Sequence, residues 1–215
     1  MRERARSTED KRQRSADLLD AAESLALEQG GVRFVTVAAV TERAGLHRTG
    51  ARRYYASKEE LLLELAERGW NRWRDAIGAA AGDRTGLGPA DVAAVIVDTI
   101  ATLPVFCDLL SHVAMSLEGD VDLERARRYK TNAFAAHDEI VGTLDRASTM
   151  TAGQLQGLMA ATIALAASFW QVSHPTPTLA RLYEEVPRWG HVALDFEPKL
   201  RRLLQATATG LAAAV

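Results

Sequence analysis

Apolar residues recur every three or four positions along almost the whole chain, the period of an amphipathic helix. Leu18, Ala21, Ala22, Leu25 and Ala26 form the first stripe, closed by Gly30 and Gly31. Ser7 or Thr8 is placed to open that helix, with Glu9 and Asp10 where acidic side chains suit the helix dipole. The connector Val32-Arg33-Phe34 is expected to turn both apolar residues towards the core. Val37, Val40 and Ala44 share one face of a short helix, capped by Thr36 and stopped by Gly45. A second short helix is expected from about His47 to Tyr54. Ser57 caps a longer one running to about Ala81, with Glu60 as its capping-box partner and Leu61, Leu62, Leu65, Ala66, Gly69 and Trp73 as its stripe.

The stretch GDRTGLGP at 82–89 breaks the pattern and is the best candidate for a domain boundary. Beyond it helices are expected at 90–103, 105–119, 122–148, 151–173, 179–186 and 197–211, with Pro104, HPTPT and Pro187 as interruptions. No strand pattern survives next to these periods. The predicted fold is all-α: a three-helix unit within 1–56, a linking helix at about 57–81, and a helical bundle over 82–215. The run Leu158–Trp170 is shorter than the ~20 apolar residues a membrane span needs.

Charge changes the picture at one end. Residues 1–56 hold 11 Lys/Arg against 8 Asp/Glu, and the remainder hold 15 against 20, within a net charge of −2. A local basic region is the footprint expected for nucleic acid; its bland alternative is a solvated tail. The start of the sequence has no apolar core of a secretory signal, and a cytoplasmic location is expected. Cys107 is the sole cysteine, which rules out an internal disulfide and a cysteine metal cluster. No metal site or cofactor is expected. Neither a phosphate-binding glycine loop nor a zinc-protease or hydrolase signature occurs, and the five histidines are scattered.

Two short helices around a glycine turn, the second carrying Arg48, Arg52 and Arg53, read as helix-turn-helix. An arginine fork matches O6 and N7 of guanine. His47, Arg48, Thr49 and Arg52 are therefore the expected base readers, with Gly50 and Ala51 small enough for close approach.

The run V-x-x-V-T-E-R-A-G-L, a short helix, the pair Tyr54-Tyr55, and then S-K-E-E-L opening a long helix resemble the N-terminal domain of TetR-family transcriptional regulators over about residues 8–75. The sequence departs from the family pattern at His47, where Ser is usual, and at Thr49-Gly50-Ala51-Arg52, where Gly-Thr-Leu-Tyr is usual. The resemblance, with the attraction of helix N-termini for anions, implies phosphate contacts from Thr36, Tyr54 and Lys58, to which Arg53 is added. It also implies a homodimer, since a single short helix makes few base contacts and paired helices sit about 34–36 Å apart on DNA. The expected interface is a four-helix bundle using Leu158, Ala161, Leu165 and Phe169 with Leu200 and Leu204; the alternative is that these residues are core within one chain. A ligand cavity is expected among Phe106, His112, Met115, Phe134, His137 and Trp170, against the alternative of ordinary core. The function implied is a cytoplasmic DNA-binding regulator, a repressor released from its operator by a small, largely apolar ligand. The competing reading is a helical enzyme or protein-interaction bundle without DNA binding.

Overall fold

The computed structural model describes residues 2–47, 53–192 and 195–214, with the backbone alone at 2–9 and 191–192. Helix α1 (Arg2–Gln29) leads through a 3-10 turn (Val32–Phe34) into α2 (Val37–Arg43). The chain then forms α3 (Lys58–Ala81), α4 (Pro89–Ile100), α5 (Pro104–His112), a π-helical turn (Val113–Leu117), α6 (Leu123–Ala147) and α7 (Ala152–Ser173). It ends with α8 (Pro177–Glu185), a 3-10 turn (Pro187–Val192) and α9 (Phe196–Ala213). Extended pairing among the described residues is limited to an isolated bridge between Leu87 and Ser148. The all-α expectation holds.

Helix α3 is the axis. Its buried side includes Leu61, Leu62, Leu65, Trp73 and Ile77, a continuous stripe that packs against α6, α4 and α5. Trp73 is wholly buried, and its indole N–H donates to Thr99 Oγ1 at 3.0 Å. Arg125, buried near the start of α6, donates to Glu67 Oε1 of α3 at 2.6 Å and lies 3.4 Å from the Glu60 carbonyl. A buried arginine needs such partners. On the far side α9 packs between α4 and α7, and Leu155, Leu158, Leu200, Leu204 and Ala208 fill that layer.

Several local expectations are corrected. Helix α1 starts at Arg2, ahead of Ser7, because Arg2–Arg6 holds only residues of high helix propensity. Phe34 does not turn inward: it is 46% exposed, with the Arg33 guanidinium stacked 4.4 Å over its ring. Ser57 does cap α3, accepting from Glu60 N at 3.2 Å, but the Glu60 carboxylate takes the Ala56 N–H at 2.6 Å, one residue before the cap. The segment 105–119 is not one α-helix, since it widens into the π turn after His112, a change that apolar spacing does not register. Pro104 and Pro177 each occupy a first helical turn, where their missing N–H is not needed. Thr176 caps α8, so HPTPT is partly a helix start.

Candidate nucleic-acid interface and effector cavity

The reading end is built around α1. Leu18, Ala22, Leu25 and Ala26 are buried against Val32, Val35 and Val40. Thr36 caps α2 through its hydroxyl, which accepts the Ala39 N–H at 3.2 Å. Gly45 takes φ +65°, which a side chain would resist, and so ends α2. Arg43 forks onto Glu28 at 2.8 and 2.7 Å and also reaches Ser24, fastening α2 to α1. The Arg43 hydrogen bond, first, and then that from Ser24 pull the Glu28 carboxyl from 4.5 down to about 2.

Tyr55, buried, lies just before α3. Its hydroxyl is 2.8 Å from Ser15 Oγ, which donates in turn to Glu64 Oε1 at 3.2 Å. Burial pushes the Tyr55 hydroxyl well above its ordinary pKa. Ser15 therefore ties α1, α3 and the end of the reading stretch together.

Of the expected base readers, Arg48, Thr49 and Arg52 lie outside the described residues, and His47 is exposed directly before them. Of the expected phosphate contacts, Thr36 and Arg53 are exposed, and Tyr54 and Lys58 are half-buried. Lys58 Nζ donates to the Arg33 carbonyl at 2.8 Å, so it reaches the turn just ahead of Thr36. Burial lowers its pKa. Arg53 and Tyr54 line one side of an open cleft of about 940 Å³ whose other side is Lys11, Gln13 and Arg14 of α1, with Asp10 and Asp17. The cleft places cations of α1 beside the end of the reading stretch.

A second concavity, of about 560 Å³, lies within the bundle. Trp70 of α3, Leu110 of α5, Val113 and Ala114 of the π turn, and Ala160 and Ile163 of α7 form its apolar wall. Tyr129, Ala133, Phe134 and His137 of α6 face them. The Trp70 indole N–H donates to Tyr129 Oη at 3.2 Å, and burial pushes that phenol up to about 12. His137 stands edge-on to both Trp70 and Phe134 at 6.3 and 6.4 Å. Polar character comes from Glu118, whose Oε1 is 2.9 Å from Lys130 Nζ. Such a lining suits a small apolar or aromatic molecule with one polar end.

The structure brings Phe134 and His137 to this cavity and places four other expected lining residues elsewhere. Phe106 is buried behind the wall, packed on Trp70 at 5.3 Å. His112 faces Asp108 at 3.7 Å. Met115 is 85% exposed, because the π turn rotates it outward. Trp170 stacks on His174 at 3.8 Å and meets Phe196 edge-on at the other end of α7. Trp70 and Tyr129 were missed. Tyr129 was one of several aromatics with nothing to single it out, and Trp70 sits beside the core stripe of α3.

The expected interface residues also divide. Leu158, Leu200 and Leu204 are wholly buried within the single chain, so they hold α7 to α9 and cannot meet a partner. Ala161, Leu165 and Phe169 are half-buried, and Lys199 Nζ lies 5.0 Å over the Phe169 ring. The outer face of α7 exposes Ala164 and Ser168. Only 28% of the most apolar window of α7 is buried, although the helix has the length and composition of a membrane span. Core helices of soluble proteins share that length and composition.

A short helix capped by Thr36 and packed on α1, at the head of a long axial helix with an apolar cavity in the bundle behind it, is the arrangement expected of a helix-turn-helix DNA-binding regulator. The family comparisons agree. Residues 18–65 match the model for bacterial regulatory proteins of the TetR family, and residues 67–215 match that for the tetracyclin repressor-like C-terminal domain. The chain belongs to the TetR family of transcriptional regulators, which are not enzymes. A TetR regulator from Rhodococcus sp. RHA1 shares the fold with TM-score 0.58 at 15% identity, over 96% of this chain and 99% of that one. A possible TetR-family regulator from Streptomyces coelicolor A3(2) does so with TM-score 0.57 at 20% identity, over 94% and 100%. No functionally curated protein matches the sequence.

Proposed function

We propose that the chain is a cytoplasmic homodimeric repressor that leaves its operator when a small, largely apolar ligand fills the cavity between α3, α5, α6 and α7. The observation that carries this reading is the position of Trp70. It is part of the cavity wall and part of α3, which begins at Lys58, directly after the reading stretch. Anything that occupies the cavity presses on the helix that leads to the DNA-binding head. The ligand then acts by preferring one of two α3 positions, and hence one spacing of the two heads. Residues 1–56 act as the reading head, α3 as the link and 82–215 as the sensing and dimerising bundle.

Arg48, Arg52, Thr49 and His47 read base edges in this proposal, while Thr36, Arg53, Tyr54 and Lys58 hold phosphates. Lys58 spends one donor on the Arg33 carbonyl and has two left for an anion. Selection of bound duplexes from a random library tests the reading. A defined sequence should emerge, and Arg48→Ala should weaken its binding by ~1–3 kcal/mol and relax one base pair. Failure of the full chain to enrich any sequence counts against the whole reading; an unchanged preference in Arg48→Ala removes that residue alone.

A further inference from the structure

The structure assigns to Asp108 the role of a positioning residue: its carboxylate, braced by Gln171, holds the main-chain N–H of Val32 and so fixes the reading head on the bundle. This inference rests on the proposed function. Asp108 belongs to α5, within the bundle, and is buried. Its Oδ2 accepts the Val32 N–H at 2.7 Å. Its Oδ1 accepts from Gln171 Nε2 of α7 at 2.7 Å, and the same Gln171 nitrogen donates to Ser111 Oγ at 2.9 Å. His112 Nε2 stands 3.7 Å from Oδ1. A carboxylate is expensive to bury, and an apolar side chain would fill this place at lower cost. What an apolar side chain would not supply is an acceptor for Val32.

The opposing backbone is shaped for that acceptor. Gly30 and Gly31 take φ +77° and +143°, and a Cβ on Gly31 would stand 3.2 Å from Asp108 Oδ2. The glycine pair therefore does more than end α1. It turns the chain so that the next N–H faces the carboxylate, and it keeps that approach clear. The turn so held joins α1 to α2. It is gripped a second time by Lys58 on the Arg33 carbonyl. Two adjacent residues of one turn are thus fastened to two different helices, α5 and α3.

Both of those helices also contribute to the cavity wall, through Leu110 and Trp70. Asp108 and Leu110 are two positions apart, about 200° around the helix, so they project from opposite sides of α5. A shift of α5 away from or towards the cavity moves the carboxylate with it. The clamp gives the head a second connection to the sensing bundle, parallel to α3.

The test compares affinity for the wild-type-selected duplex with affinity for random duplex, using the full chain. Random duplex reads phosphate attraction, whereas the selected duplex needs both heads correctly set. Asp108→Leu should lower affinity for the selected duplex about tenfold, within the range of coupling between sites, and leave random-duplex affinity unchanged. Asp108→Asn should recover most of the loss, since its amide oxygen can accept from Val32 while Gln171 turns its own carbonyl to the amide. Gln171→Leu removes only the brace from an exposed position and should give a smaller loss of the same kind, which keeps the idea testable if Asp108→Leu does not fold. An unchanged ratio of the two affinities in Asp108→Leu and Gln171→Leu overturns the clamp. So does an equal fall in both affinities together with the melting temperature, which marks a merely structural residue. A wild-type chain that selects no duplex takes down the DNA-reading proposal itself, and the clamp with it.

Discussion

Arg43 and Glu28 show how one exposed pair does a defined job. They fasten α2, the helix leading into the reading stretch, to α1. The Arg43 hydrogen bond holds Glu28 at about 2 against an ordinary 4.5. A lowered acid pKa contributes stability that is present above 4.5 and lost as pH falls through 2. The pair is fully solvated, so salt and side-chain entropy keep its effect small. Glu28→Gln should flatten the decline of the thermal midpoint between pH 4.5 and 2 relative to the wild type, with the curves differing most at neutral pH and low salt. Parallel curves over that window would show that the pair carries no linkage. Cys107 is the contrasting case: buried, its thiol pushed up to about 12 by burial, and bonded to the Ile100 carbonyl at 3.4 Å. It belongs to the core.

Between elements, the closest approach of interest is α3 on α5. A Cβ on Gly69 would lie 2.3 Å from Phe106 Cδ2 and 2.9 Å from Phe106 Cβ. The whole ring, not a flexible tip, is in the way, and it is held edge-on to Trp70 and 6.0 Å from Trp73. Gly→Ala inside a helix gains about 1 kcal/mol of propensity. Forcing an extra carbon into a packed core costs about 1–3 kcal/mol. The second effect wins, so Gly69→Ala should lower the denaturation midpoint, and a raised midpoint would mean that Phe106 moves freely. The sequence made Gly69 look like one more small residue in the α3 stripe; its reason lies 37 positions away. The same holds at other sites. Caps at Thr36 and Ser57 and the stripe of α3 were legible, because they depend on neighbours three or four residues off. The π turn was not, because Val113, Leu117 and their neighbours keep an ordinary helical spacing of apolar residues. Met115 was misplaced in consequence, since the π turn carries it outward, whereas Phe106 was misplaced because it packs on Trp70 of α3 behind the wall. Asp108 drew no attention in a run of apolar residues, since its partner is a backbone N–H of another element.

At the scale of the molecule, α7 and α9 pose the question that an apolar stripe cannot answer alone, core or interface. Each has one buried side and one exposed side. Leu158, Leu200 and Leu204 are buried within the chain, whereas Ala164 and Ser168 of α7 and Ala206 and Gly210 of α9 remain exposed. Small residues on paired helices allow two such pairs to approach closely as a four-helix bundle. An apolar helix buried over only 28% of its most apolar window leaves area that a second copy would cover. Ala164→Glu tests this directly. Its side chain is solvated in one chain, so the monomer fold should keep its helical content. In a symmetric dimer the same change buries two like charges without partners, which costs several kcal/mol. Light scattering should therefore move from twice the 23.4 kDa chain mass to the chain mass itself. Affinity for the selected duplex should collapse with it, because two heads spaced for successive major grooves are needed to hold both half-sites. A dimer that survives Ala164→Glu would place the partner on another face, and a monomer that still binds the selected duplex at full strength would remove dimerisation from the recognition mechanism.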